Sequence, residues 1–263
     1  VVAGADRLAE IEKFLDTVAI CPSQLGQIGA LWGMQNLSQW VAGERAEILA
    51  RRAAMELRAG MTANLGFGIS AMVPRILLEE GHPEAVTWAI EQGAVGGMPL
   101  TGFAFGCASN ADAFMPSPNQ FTYFQGGGFD VSFLSFMEVD REGNVNVSKL
   151  AKKPYLTAGC GGFVDITTRA RKIVFSGNFN AGAKMVLKDG RLVIEKEGKI
   201  AKFVPKVDQV SFSGRRARVQ GQDITYVTER CVIRLTERGL LATEIMPGID
   251  PARDIVAAGG KAV

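Results

Sequence analysis

The first residue that invites chemistry is a carboxylate. In Trp88-Ala-Ile-Glu-Gln-Gly-Ala-Val-Gly-Gly97, Glu91 follows a short apolar run and precedes a glycine turn. Such a run reads as a buried strand, so Glu91 stands at the strand's C-terminal edge, where open α/β sheets place their ligands. A carboxylate there is partly desolvated, which makes it a better nucleophile than it is in water. Gly93, Gly96 and Gly97 let a bulky substrate approach the backbone. A strand-end glutamate that caps a neighbouring turn fits the same pattern.

Two glycine loops can supply backbone N–H groups. Asn64-Leu-Gly-Phe-Gly-Ile-Ser70 reads as strand, G-x-G turn and helix, with Gly66 and Gly68 turning amides toward an anion. It lacks the third glycine and later acidic residue of a dinucleotide site, and it is not a phosphate-binding Walker loop. A plain strand-to-helix turn reads the same way. Ala158-Gly-Cys-Gly-Gly-Phe-Val-Asp165 is a second close-approach loop, with Gly161 and Gly162 after Cys160. A thiol nucleophile needs a base, and His82 is the single histidine of the sequence. Cys160 therefore reads as a small buried side chain, not as a catalyst.

The elements that must carry these loops follow from periodicity. Residues 5–58 read as mostly helical, with apolar positions at helical spacing over Arg7–Leu15 and over Glu44–Leu57, and Gly60 as the stop. A strand running into a glycine turn over Thr62–Ile69, a helix over Met72–Glu80 ended by Gly81, and a strand over Ala85–Ile90 make a βαβ unit and imply a parallel sheet. Residues 91–135 read as turns, punctuated by Met115-Pro-Ser-Pro118 and Gly126-Gly-Gly128. Val131–Val139 reads as a strand turning at Asp140–Gly143 into Asn144–Ser148, and Lys172–Phe175 as another. Lys184–Leu187 and Arg191–Ile194 flank an Asp-Gly hairpin turn. Tyr226–Val227, Cys231–Leu235 and Leu240–Glu244 complete a strand-rich tail, and Gly259–Val263 reads as frayed. The expected fold is α/β: an open, mostly parallel sheet with flanking helices, a strand-rich C-terminal part and a helical N-terminal extension.

Composition narrows the function classes. A net charge of +2 without a basic run lacks the footprint of a nucleic-acid binder. Apolar stretches stop well short of a membrane span, and no secretory leader is visible. The four cysteines, Cys21, Cys107, Cys160 and Cys231, have neither metal-ligand spacing nor a disulfide framework, so no metal is expected and a reducing cytoplasm is the default.

Many ordered strings carry a family resemblance. Ala50-Arg-Arg-Ala-Ala-Met-Glu-Leu57, Asn64–Ile69, Glu91-Gln-Gly93 with Gly96-Gly97 and Asn110-Ala-Asp-Ala-Phe-Met-Pro116 are the first of them. Phe124-Gln-Gly-Gly-Gly-Phe-Asp130, Val145–Lys149, Gly159–Ile166, Phe175-Ser-Gly177 and Tyr226-Val-Thr-Glu-Arg230 follow. From about Ala50 to Ile255 the chain resembles the C-terminal, glutamate-bearing half of family I CoA-transferases, of the propionate or acetate CoA-transferase and acetoacetyl-CoA transferase type.

That resemblance implies that Glu91 is the nucleophile of a ping-pong exchange and passes through a glutamyl-CoA thioester. It implies that Gly161 and Gly162 lie in the oxyanion region and that Gly66 and Gly68 lie along the thioester arm of CoA. Coenzyme A enters as a substrate, with no permanently bound cofactor. The partners implied are an acyl-CoA, a short-chain carboxylate and an N-terminal CoA-transferase half or subunit, in an oligomer. Two other readings stay open: an acyl-CoA hydrolase, and an inactive fragment or interaction subunit. The expected domains are 1–50, a helical segment of uncertain origin, and 51–263, the catalytic-glutamate domain. Within 1–50, Ala3–Leu8, Asp16–Gln27 and Trp40–Arg45 resemble part of a fold type I PLP-dependent aminotransferase, without its Schiff-base lysine.

Overall fold

The structure is a computed structural model that describes residues 37–259. The chain divides into two compact units, Val1–Glu44 and Arg45–Val263. The helix expected over Arg7–Leu15, the aminotransferase-like strings Ala3–Leu8 and Asp16–Gln27, Cys21, and the tail beyond Gly259 lie outside the described residues.

A nine-stranded sheet organises the second unit. Its strands are β1 (Thr62–Leu65), β2 (Thr87–Ala89), β3 (Ala94–Val95), β4 (Ala113–Phe114), β5 (Val131–Ser135), β6 (Lys172–Ser176), β7 (Asp223–Val227), β8 (Cys231–Thr236) and β9 (Gly239–Ile245). Their order is β9-β8-β7-β6-β5-β1-β2-β3-β4. The five central strands, β7 to β2, run parallel. Both flanks are antiparallel. The open sheet and flanking helices agree with the sequence reading, and the parallel part is confined to the centre.

Helices cover both faces. α1 (Leu37–Ala54) and α2 (Val73–Glu79) lie on one side, and α3 (Ser117–Gln125), α4 (Phe163–Arg169) and α5 (Gly214–Gln220) on the other. The strands alternate accordingly. In β5, Val131 and Phe133 join the core under α1 and α2, while Leu134 joins the core under α3 and α4. In β6, Val174 points one way and Ile173 and Phe175 the other. Period-two alternation with both sets apolar is what a parallel strand buried on two faces requires.

Three expectations need correction. The strand expected over Val131–Val139 breaks at Phe136 and Met137, and Glu138–Asp140 pairs instead with Val145–Asn146 and Phe203–Val204 in a separate small sheet. The strand expected over Ala85–Ile90 is only Thr87–Ala89. The stretch 91–135 contains α3, which begins at Ser117 with Pro118 in its first turn, where the missing N–H of proline removes no helical bond. The Asp189-Gly190 hairpin is present, with both residues at positive φ as a tight two-residue turn demands.

Strand order places a reversal beside the glycine loops. From β1 the chain crosses through α2 to β2 on one side, and later returns to β5, β6 and β7 on the other. The β1/β5 boundary is thus a topological switch point, and crevices at the C-terminal ends of such strands are where open α/β sheets bind ligands.

Candidate active site

Glu91 sits at the tip of a tight turn between β2 and β3. Gly93 N–H donates to the Ile90 carbonyl at 2.9 Å, and Ile90 N–H donates to the Ala94 carbonyl at 2.9 Å. Gly93 has φ +114°, and a Cβ there would meet the Met115 carbonyl oxygen at 2.0 Å, so only glycine fits. The turn is what ends the parallel strand and lifts Glu91 clear of the sheet edge. Ser117, at the start of α3, donates its hydroxyl to the Glu91 carbonyl at 3.3 Å.

The Glu91 carboxylate lies against the second glycine loop. The Gly162 N–H lies close to it and favours its charged form. A Cβ on Gly162 would stand 2.8 Å from Glu91 Oε2 and 2.4 Å from Phe121 Cε1 of α3, so any side chain there displaces one or both of them. Gly161 has φ +50°, and its α-carbon region is also near the carboxylate, since a Cβ there would be 3.7 Å from Glu91 Oε1. Burial pushes the Glu91 carboxyl above its ordinary value, and the Gly162 N–H only partly offsets this. Among the described residues no cation forms an ion pair with Glu91. A half-buried carboxylate with one N–H and no counter-charge keeps its lone pairs available. Cys160, next in the loop, is exposed rather than buried as expected from the sequence.

Gly66 and Gly68 follow β1 and close on the end of β5. A Cβ on Gly66 would meet Leu134 Cδ2 at 2.8 Å, and one on Gly68 would meet Ser135 Oγ at 2.6 Å. Ser135 donates to the Phe67 carbonyl at 3.0 Å. Close packing on β5 therefore accounts for both glycines. Between them Phe67 is 68% exposed, its ring edge-on to Phe105 at 5.5 Å. Gly106 in turn packs on the Gln92 side chain, so the Phe105 loop bridges the two glycine turns.

A buried polar ladder lies below. Ser132 of β5 donates to Asn64 Oδ1 at 2.8 Å, and Asn64 of β1 donates from Nδ2 to the Ala89 carbonyl of β2 at 3.1 Å. Asn64 is fully buried, so these bonds fix the strand that carries Glu91 against its neighbours. Periodicity gave no sign of Asn64; a polar residue inside an apolar strand was the available signal. Ser117 and Phe121 were hidden in a stretch that reads as turns.

Cavities of about 630 Å³ beside Glu197 and Asp254 and about 550 Å³ beside Gly97 and Asp112 exclude Glu91 from their linings. Among the described residues no cluster of His, Cys, Asp and Glu could hold a metal, and no helix is long and apolar enough to cross a membrane.

The comparisons with known proteins bear on the Glu91 site. No protein-family model matches the chain. It is 44% identical over 213 residues to caffeate CoA-transferase of Acetobacterium woodii, covering 80% of this chain and 40% of that protein. It is 36% identical over 257 residues to acetate CoA-transferase YdiF of Escherichia coli O157:H7, covering 92% of this chain and 47% of that protein. The crystal structure of that acyl-CoA transferase as a thioester complex with CoA superposes with TM-score 0.76 at 37% identity, covering 83% of this chain and 41% of the other. The chain's relatives are CoA-transferases. It spans less than half the length of these curated relatives. It is also 33% identical over 138 residues to the acetate CoA-transferase subunit beta of Escherichia coli, covering 49% of this chain and 61% of that subunit. The match to YdiF covers so much of the chain that it reaches into residues 1–50, and the aminotransferase resemblance of that segment finds no support in these relatives.

Proposed function

We propose that this chain transfers coenzyme A between a short-chain acyl-CoA and a carboxylate, as a family I CoA-transferase, through a glutamyl-CoA thioester at Glu91. One observation carries the reading: the Glu91 carboxylate is half-buried at the C-terminal edge, raised above its ordinary pKa, and close to the Gly162 N–H. Glu91 attacks the thioester carbonyl carbon. The C–O bond forms, the C–S bond breaks, and CoA thiolate leaves with the electron pair. The thiolate then attacks the glutamyl carbonyl of the mixed anhydride, forming C–S and releasing the first carboxylate. A second carboxylate runs both steps in reverse. No net proton and no oxidant is consumed, and the kinetics are ping-pong.

Desolvation assists in both directions. It makes the attacking carboxylate more reactive and disfavours its return to water. The Gly162 N–H, and with it Gly161, is positioned to stabilise the oxyanion of each tetrahedral intermediate. Gly66 and Gly68 would border the thioester arm from the neighbouring strand end. Coenzyme A is a substrate here, and the chemistry requires no resident cofactor.

The site is one wall. Excluding water from an anhydride needs a second, and the exposed Phe67 beside Phe105 is an apolar surface suited to cover. An N-terminal half, joined or as a separate subunit, would supply that wall, and the likeness to a separate beta subunit supports this. We assign residues 51–263 as the catalytic-glutamate domain and place the working protein in the cytoplasm as an oligomer.

The test is trapping. Incubation with acyl-CoA followed by borohydride reduces a glutamyl thioester to the alcohol, and mass spectrometry of the digest should place the change on Glu91. An unmodified Glu91 peptide from a preparation that exchanges CoA would defeat the proposal.

A further inference from the structure

α3 borders the site through Ser117 and Phe121. Ser117, Gln120, Phe121 and Phe124 recur at the spacing of three and four that aligns side chains on one side of a helix. At one end Ser117 donates to the Glu91 carbonyl. One turn on, the Phe121 ring abuts Gly162, whose N–H lies close to the Glu91 carboxylate. Gln120 lies between Ser117 and Phe121 along α3 and is 0% exposed. Neither its Nε2 nor its Oε1 has a hydrogen-bond partner among the described residues.

An unpartnered amide in that place needs a reason. Leaving a buried donor or acceptor unsatisfied is costly, and folded proteins keep few such groups. The core around α3, with Ala89, Phe124 and Phe129, is apolar and would accept an apolar side chain of the same size at less cost. Stability alone does not account for a glutamine here.

We infer that Gln120 is a further catalytic residue, its amide donating to the carbonyl oxygen of Glu91 once that side chain is acylated. The inference rests on the glutamyl reading proposed above. In the free protein the Glu91 carboxylate already has the Gly162 N–H close by. When a C–O or C–S bond forms at that carboxyl, its remaining oxygen is a carbonyl oxygen. Attack by thiolate or carboxylate pushes an electron pair onto it, and the pair returns as the bond to the leaving group breaks. A dry amide on the helix that borders this carboxyl can turn to that oxygen and stabilise the charge away from water. The orphaned polar atoms are then a donor held free for a covalent state that the free protein does not contain.

Gln120→Met keeps the volume and removes both polar atoms. It is to be compared with wild type, each complemented by an N-terminal CoA-transferase half, in thermal unfolding, in steady-state exchange and in the rate of borohydride-trapped Glu91 adduct. The expected result is an unchanged or higher Tm, a kcat lower by about 100-fold, an acyl-CoA KM within about twofold, and a slower adduct. A wild-type kcat in the variant overturns the inference, as does a Tm lower by several degrees, which would show that the amide is structurally satisfied. Adduct formation at equal rates in both proteins overturns the role of Gln120 alone. The absence of any Glu91 adduct in wild type overturns the glutamyl reading with it.

Discussion

Two glutamates occupy opposite edges of the same sheet, and their surroundings differ in kind. Glu56, just beyond α1, is 8% exposed at the N-terminal edge. It pairs with Arg52 at 2.9 Å, Arg234 at 3.1 Å and Lys172, so three cations meet one carboxylate. Burial would raise its pKa, but the hydrogen bonds and charges of Lys172, Arg52 and Arg234 hold it below the ordinary value. Glu91, at the C-terminal edge, has one backbone N–H and a raised pKa. Both are desolvated; only one is compensated. The compensated glutamate ties α1 to β6 and β8, and the other carries a penalty that packing does not relieve. A protein keeps such a penalty where the penalised state is the useful one.

Removing each glutamate should break the comparison in opposite directions, and the largest effect is on activity. Glu91→Gln removes the proposed nucleophile, and exchange should fall by about 10³-fold or more in the complemented enzyme. Its Tm at pH 7 should be unchanged or higher, because a neutral amide avoids the desolvation of the charge. Glu56→Ala leaves three cations around a buried gap and should lower unfolding stability by about 3 kcal/mol, read by denaturant titration, with the trapped Glu91 adduct still forming at low temperature. A destabilised Glu91→Gln, or a Glu56→Ala as stable as wild type, would erase the distinction.

Gly162→Ala probes the one N–H that acts on the Glu91 carboxylate among the described residues. The added Cβ collides with Phe121 and Glu91 Oε2, and the displaced N–H no longer meets the developing oxyanion. Loss of one such donor costs about 10²–10³ in kcat. The steady-state exchange rate checks this, and circular dichroism should report an unchanged fold.

The pH dependence separates the two edges further. Glu56 has a depressed folded pKa, so its stabilisation is complete above the unfolded value near 4.5 and is lost as pH falls through the folded one. Glu91 has a raised folded pKa, so protonating it relieves a penalty, and the Tm gain of Glu91→Gln should shrink as pH falls through that value. The acid limb of kcat/KM should therefore lie above 4.5, because exchange needs the ionised nucleophile.

How much of this was legible beforehand differs between the edges. The place of Glu91 at a strand end was readable because an apolar run, a carboxylate and a glycine turn fall within ten residues; a turn-capping glutamate has the same pattern, so its chemistry was not. The central βαβ unit and the Asp189-Gly190 hairpin were likewise readable from local pattern. The Glu56 cluster was not, since its partners lie as far along the chain as Arg234 and no local spacing brings them together. α3 was missed because Pro116-Ser117-Pro118 reads equally as a turn and as a helix start, and only packing on Ala89 and Phe163 decides it. With α3 went Ser117 and Phe121, whose side chains meet the Glu91 carbonyl and Gly162. The packing of Gly66 and Gly68 on β5 was hidden too, because β5 lies about 65 residues further on and meets them only through the sheet.

The smallest expected effect concerns Cys160. It sits two residues before Gly162, in the loop that touches Glu91, and a thiol there invites a catalytic role. The structure leaves it exposed. The Gly162 N–H and its neighbours' backbone path are what reach the carboxylate, and a cysteine side chain is not needed to hold Gly161 at φ +50° or Gly162 against Phe121. Cys160→Ala removes one exposed sulfur and no buried contact, and surface changes of this kind stay within about 0.5 kcal/mol. Exchange by Cys160→Ala should thus remain within about twofold to threefold of wild type, with unchanged Tm. Alkylation is the sharper contrast: a bulky adduct on the same sulfur would crowd the Gly161–Gly162 loop and should inhibit wild type while leaving Cys160→Ala untouched. If Cys160→Ala lost exchange at unchanged folding, the sulfur itself would take part in the chemistry, and the assignment of that loop to its amides would fail.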